Sequence, residues 1–398
     1  AEMMNSYGVI HNDPEVVSKI VASQAHHKKI DGHAPGLQGK DLDTYVAAGV
    51  YSDHECATME DALAKLQRGQ FIMIREGTAA RNLEALAPLL TPQYAERCMF
   101  CTDDKHPSDL LEKGHIDYIA REAINKYGVD PIIAVKAACH HASRYFLLNN
   151  RGAIAPGYLA DFAVIDNFKD FNVEMVFKKG VLYWNNGELR DFEAPKIEEY
   201  LDKRAHDTFH VSTLTPDDFR DTRQRGVLGM VPGEIITTDN GYADHVDLEK
   251  DILKIAVVER HKGTHHIGLG YIQGYGLKSG AVATSISHDS HNIIVVGTNS
   301  ADMAFAANYI VEHHGGIVVV ENGTVKGSVV LEIAGIMSDR PLTEVNDQLE
   351  AAKDAAFTLG VSRGIDPFMT LSFMALPVIP KLRITTRGVV DVDTQQYV

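Results

Sequence analysis

Val50-Tyr51-Ser52-Asp53-His54-Glu55 decides the fold when it is set beside Ile30-Asp31-Gly32-His33, Phe71-Ile72-Met73-Ile74-Arg75-Glu76 and Cys98-Met99-Phe100-Cys101-Thr102-Asp103-Asp104. Each is a short apolar segment that closes on a residue able to do chemistry. They recur roughly every 21 to 28 residues, the pace of one strand plus one helix. Between them, 40–48 and 58–66 carry apolar residues at three- and four-residue steps, and Thr58 with Asp61 reads as a capping box. Upstream, 14–29 reads as a helix capped by Asp13 with Pro14 at its first position.

Strands alternating with helices at this period predict a parallel sheet with right-handed crossovers, whose functional groups gather at the carboxyl ends of the strands. His33, His54, Arg75-Glu76 and Asp103 therefore belong on one rim. A lone histidine among the 19 of this chain is most often ordinary. Two of them in register with an aspartate form a ligand set for a divalent metal that activates water. A full barrel needs about 250 residues and eight strands, and only about four and a half βα units precede the change of pattern. The chain thus reads as the second half of a barrel, residues 1–150.

Beyond it, helical patterns at 116–127 and 131–146 give way to short strands and Gly/Pro turns over 151–189, a small β unit. Residues 190–217 are charged and poor in apolar periodicity, a linker. From 218 to 398 strands at 252–258, 281–287, 292–296 and 317–320 and helices at 300–313 and 347–359 predict an α+β domain, with Asn322-Gly323 as a hairpin turn.

Composition agrees with a globular chain of more than one domain: 398 residues, 45% hydrophobic and 23% charged. A net charge of -16 argues against a nucleic-acid partner. No run of about 18 apolar residues argues for a membrane span, and no basic, apolar leader opens the sequence. Cys56, Cys98, Cys101 and Cys139 all fall in the first 150 residues and do not form a disulfide framework, so a reducing, cytoplasmic setting is expected. Residues three apart on a strand face opposite ways, so Cys98 and Cys101 cannot share one ion and are read as structural.

Ser287-His288-Asp289-Ser290-His291-Asn292 is dense in ligands and follows a strand. It reads as a second metal or substrate site, as a lid segment, or as a polar turn satisfying its own backbone. The His-His pairs at 26–27, 140–141, 265–266 and 313–314 read as solvated or packed. The Gly-rich 268–280 lacks the lysine of a phosphate-binding loop.

Several of these segments, Asp31-Gly32-His33-Ala34-Pro35-Gly36-Leu37, Met73-Ile74-Arg75-Glu76-Gly77-Thr78-Ala79-Ala80-Arg81-Asn82-Leu83, Cys101-Thr102-Asp103-Asp104 and Ser287 to Asn292, together with Ala1-Glu2-Met3-Met4, closely resemble the bacterial adenine deaminases of the amidohydrolase superfamily. Ile154-Ala155-Pro156-Gly157-Tyr158-Leu159-Ala160-Asp161-Phe162 resembles the amidohydrolase signature where the chain leaves the barrel. The resemblance covers essentially the whole chain. It implies a partial TIM barrel of the metal-dependent amidohydrolase type with an added α+β domain, and hydrolysis of adenine to hypoxanthine and ammonia in purine salvage.

The resemblance also implies roles. His33 and His54 match metal-ligating histidines ending the fifth and sixth strands. Asp103 matches the aspartate of the eighth, which binds metal and moves the proton of the attacking water. Glu2 matches a carboxylate of the fourth that bridges two metals. Manganese or iron is the implied metal, and a homodimer the implied assembly. Arg75 and Glu76, ending the seventh strand, position the purine or fix neighbouring loops, and His288 and His291 are candidate substrate contacts. The His-x-His pair of the first strand is absent, so a preceding barrel segment is expected in cis or in trans. Two other readings compete: another amidohydrolase acting on a cyclic amide or amidine, and a non-catalytic half-barrel that serves a partner.

Overall fold

The computed structural model describes residues 2–398 except Ala79, Thr222, Pro232 and Gly233. Ala1 and Ala79, both inside motifs quoted above, lie outside the described residues. Two compact units divide at Ala194 and Pro195.

In the first unit, β1 (Glu2–Met3) pairs in parallel with β2 (Asp31–Gly32), and β3 (Ser52–Asp53), β4 (Phe71–Arg75) and β5 (Cys98–Cys101) form a parallel three-stranded sheet. Tyr51 N donates to Ile30 O at 3.0 Å where β2 meets β3. That approach is close enough that a Cβ on Gly32 would stand 2.1 Å from Ser52 O, which explains why glycine ends β2.

The helices between the strands follow the local chemistry. Asp13 caps Pro14–Ala25 by accepting from Glu15 N and Val16 N. The helix stops four residues short of the expected Lys29, with His27 in left-handed backbone at φ 52. Thr58 caps Met59–Gln67 by accepting from Asp61 N. Ala62 and, more partially, Leu63 and Leu66 of this helix, with Ile119, Ala120 and Ala123 of Ile116–Asn125, meet Ile72 and Ile74 of β4 in one core. Burying each large aliphatic side chain contributes about 1.5–3 kcal/mol.

The expected single helix over 131–146 runs as Pro131–Val135, a π turn Lys136–His140 and His141–Tyr145. β6 (Phe162–Ile165), β7 (Val173–Lys178), β8 (Val181–Asn185) and β9 (Glu188–Leu189) make an antiparallel meander. The fold is thus α/β, with a partial parallel barrel and a small β unit.

The second unit is built on an eight-stranded sheet of β10 (Arg225–Met230), β11 (Thr237–Ala243), β12 (Ile252–Val258), β13 (Ile267–Gln273), β14 (Ala281–Thr284), β15 (Ile293–Gly297), β16 (Gly316–Glu321) and β17 (Thr324–Val330). Their order is β11-β10-β13-β12-β15-β14-β16-β17, antiparallel except between β10 and β13. Asn322 and Gly323, at φ 52 and 67, turn β16 into β17, as two left-handed residues do in the preferred hairpin turn. Ser300–Glu312 covers β14, β15 and β16 with Met303, Ala306, Ala307 and Ile310.

The stretch read as a linker carries more structure than its composition suggested. Glu199–His206 is helical, and Leu214 is buried in the same core as Phe219, with both its N and O bonded to the Asn308 side chain. One buried leucine is too sparse a signal for periodicity to register. β18 (Leu382–Thr385), β19 (Gly388–Asp391) and β20 (Gln396–Tyr397) close the unit as a small antiparallel sheet. Among the described residues, no helix is long and apolar enough to cross a membrane.

Candidate metal centre

Strand ends of the first unit deliver the expected side chains to one place. Glu2 lies on β1, His33 follows β2, His54 follows β3, Arg75 ends β4 and Asp103 comes two residues after β5. Ligand atoms of Glu2, His33 and His54 lie within 4.8 Å of one another, as do those of His54, Glu55 and Asp103. His33 Nδ1 is 3.2 Å from Glu2 Oε1 and 3.5 Å from Glu55 Oε1. His54 Nε2 is 3.4 Å from Glu2 Oε1, 3.2 Å from Glu55 Oε1 and 3.8 Å from Asp103 Oδ2. The two imidazole rings meet edge to face at 5.5 Å.

Arg75 Nη1 binds both Glu55 and Asp103. Asp103 adopts left-handed backbone at φ 56, an uncommon conformation that concentrates at functional sites. Burial alone would raise the Glu55 carboxyl, but the His54 hydrogen bond and the charges of Arg75, His33 and His54 outweigh it and hold it down at about 2. For His54 burial disfavours the charged ring, and Glu55, Glu2 and Asp103 together reverse that and push it up.

Glu55 follows His54 directly in the sequence, where no local pattern marks it for the site. Strand alternation says nothing about a residue already past the strand, and only the tertiary fold turns its carboxylate towards both histidines. Asn82 likewise carries no local signal in the sequence. It is buried, its Oδ1 accepts from Arg75 N at 2.7 Å, and its Nδ2 donates to His54 O at 3.2 Å and Cys56 O at 3.0 Å. A single amide therefore sets the distance between two rim segments.

A second clamp lies beneath. Lys65, fully buried, donates to Ala34 O at 2.7 Å, Asp53 Oδ2 at 3.0 Å and Asp61 Oδ2 at 3.1 Å, while Asp53 Oδ1 accepts from Ala34 N at 2.8 Å. Tyr45 OH donates to Met3 O at 2.5 Å and accepts from His33 N at 3.0 Å, tying the ends of β1 and β2.

Glu76 is not brought into the cluster. Its Oε1 accepts from Leu83 N at 3.3 Å and its backbone O from Lys105 at 3.4 Å, so it holds the loop after β4. Arg75, the last residue of β4, faces the cluster, while Glu76 beyond it is held by its contacts to the following loop. His288 and His291 lie in the second unit, between β14 and β15, where they form a group of their own with Asp289. Cys98 and Cys101 belong to no metal-ligating group among the described residues, and burial pushes both thiols up.

Residues 2–183 match the amidohydrolase family and residues 234–396 the adenine deaminase C-terminal domain. The chain is 45% identical over 406 residues to adenine deaminase of Desulfatibacillum aliphaticivorans, covering 100% of this chain and 70% of the relative. The chain belongs to the adenine deaminase family. Adenine deaminase of Nitratidesulfovibrio vulgaris is 43% identical over 410 residues, with 100% and 70% covered, and that of Dehalococcoides mccartyi 44% over 406, with 98% and 69% covered. Among solved structures, β-aspartyl dipeptidase of Fervidobacterium islandicum aligns over 48% of this chain and 57% of its own, at 19% identity and a TM-score of 0.39.

Membership of the amidohydrolase family implies a divalent metal, and the residues of this deaminase-family chain fit one. Both ring nitrogens of His33 are buried without an aligned hydrogen-bond partner among the described residues, although the Glu2 and Glu55 carboxylates stand beside Nδ1. The cluster holds three carboxylates, of Glu2, Glu55 and Asp103, and the one guanidinium of Arg75, which binds the last two; a divalent cation offsets the imbalance.

Proposed function

We propose that this chain carries out the hydrolytic deamination of adenine to hypoxanthine and ammonia, with Glu2, His33, His54 and Asp103 as the residues that hold the metal. The observation that carries this reading is the convergence of those side chains on one rim, in a chain that aligns from end to end with adenine deaminases. When bound, a divalent ion supplies Lewis-acid activation of water there. Manganese or iron is our reading, since mixed nitrogen and oxygen ligands suit either.

The chain's own residues do the rest. Asp103 accepts a proton from the water that forms the new C6–O bond and passes it to the amine, so that the C6–N bond breaks and ammonia leaves. Arg75, bonded to Asp103 and Glu55, holds the two carboxylates in place. Asn82 and Lys65 position the two histidine-bearing segments.

We further propose that a preceding barrel segment completes a binuclear site, in cis or in trans, and that the assembly is a homodimer working in the cytoplasm. The length of the relatives supports the first, the exposed apolar side chains Ile154, Leu189 and Phe192 the second, and the four free cysteines the third.

Ammonia release from adenine in Mn(II) or Fe(II), with and without a co-expressed segment carrying the remaining strands, tests the reading. Activity with adenine but not with guanine or a dihydropyrimidine is expected when the segment is present. Turnover of a dihydropyrimidine instead, or of no substrate in any combination, would overturn it.

A further inference from the structure

The six residues from Ser287 to Asn292 are the motif that the deaminase site leaves unused. His288, Asp289 and His291 there offer ligand atoms that all lie within 4.8 Å of one another. His288 Nδ1 and Asp289 Oδ1 are 3.1 Å apart. Bonds of about 2.0–2.1 Å in a tetrahedral site place neighbouring ligand atoms about 3.3 Å apart, so this pair already has the spacing of two ligands.

The segment is held from several sides. The His288 ring stacks on Phe373 at 4.7 Å and 25°, and His288 N donates to Ser372 O at 3.1 Å. His291 N donates to Ser287 O at 2.7 Å, and the buried Arg260 side chain binds His291 O. Arg260 N donates to Asn292 Oδ1 at 3.1 Å, and Asn292 Nδ2 to Ser290 Oγ at 3.1 Å. The two rings, 5.8 Å between centroids, are thus carried on a fixed frame, as a metal site requires.

His288 Nδ1 and Asp289 Oδ1 hydrogen-bond to each other, a contact that a bound metal would replace. Ser287 N donates a long hydrogen bond to His291 Nδ1 at 3.3 Å. The Ser287 hydroxyl is fully buried with no hydrogen-bond partner among the described residues. This hydroxyl belongs to the same segment as the three ligand groups, and a water or a hydrated ion would satisfy it. A polar turn built only to satisfy its backbone does not account for it.

We propose that His288, Asp289 and His291 form a divalent transition-metal site in the second unit, separate in its ligands from the site on the strand ends of the first. Two imidazoles and one carboxylate suit zinc or a similar borderline ion and leave a coordination position for a further ligand. This reading does not depend on the substrate of the other site.

The test uses the full chain, stripped of metal and titrated with Co(II), with visible absorption and total metal after desalting as readouts. H288Q/H291Q is expected to bind one equivalent fewer than the parent. H33N/H54N is expected to keep that equivalent, with its own tetrahedral absorption band. Because loss of the Phe373 stack can loosen the unit, Asp289→Asn serves as the second variant. It is expected to weaken Co(II) at this site at least about tenfold with an unchanged far-UV circular dichroism spectrum. Unchanged stoichiometry and affinity in all second-unit variants would overturn the proposal. So would a raised KM for adenine in those variants with metal content unaltered, which would make these histidines substrate contacts.

Discussion

Asp103 sits in left-handed backbone with its carboxylate on Arg75, and in the proposed reaction it moves the proton as well as helping to hold the metal. Replacing it by asparagine keeps the shape and removes the basicity. Asp103→Asn is therefore expected to lower kcat by about 10²–10⁴-fold, the usual worth of general acid–base catalysis, with metal content by elemental analysis nearly unchanged. Loss of metal instead would leave Asp103 a ligand only. Glu55 faces both histidines and Arg75 at once. Its replacement by glutamine removes one of three carboxylates offsetting a bound cation, so Mn(II) affinity is expected to fall about 10–100-fold. Equal affinity in equilibrium dialysis would exclude that role.

At the scale of elements, the site depends on loops that start from very short strands. β2 and β3 hold two residues each, too few to position His33 and His54 alone. Lys65, on the helix Met59–Gln67, binds the backbone beyond β2 and the carboxylate at the end of β3 in one buried network. Lys65→Met would strand Asp53 and Asp61 as buried charges without their partner. A loss of about 3–5 kcal/mol is expected in urea denaturation, and a change below about 1 kcal/mol would show that the network is not what joins the segments. Capping at Asp13 and Thr58, the strands at β4 and β5 and the Asn322-Gly323 turn were legible because each is a local signal with a local cause. The π turn at Lys136–His140 was not, because nothing in the apolar spacing distinguishes it from regular helix.

Across the whole molecule, both units carry carboxylates held well below their usual range. Burial would raise Asp221, yet hydrogen bonds from Arg223 and Arg225 lower it, as His54, Arg75 and His33 lower Glu55. Groups that bind protons less readily when folded stabilise the protein above their unfolded value, near pH 4, and that stabilisation is lost as pH falls through the folded value. Stability measured by urea at successive pH values is therefore expected to decline from about pH 4.5 towards pH 2. Asp221→Asn should flatten the slope of the transition that reports the second unit, and an unchanged slope would exclude Asp221 as a contributor.

The sequence by itself determined the alternation of strand and helix, the rim positions of His33, His54, Arg75 and Asp103, and the α+β character of the later residues. Those features follow from periodicity and from which residue ends each strand, both properties of neighbouring positions. Only the tertiary structure decided that Glu55 faces both histidines, that Asn82 and Lys65 clamp the segments bearing them, and that Glu76 turns away to hold a loop. These depend on where a side chain points once several segments have met, and the energy that orients it comes in part from hydrogen bonds to residues as far as 31 positions away in the chain.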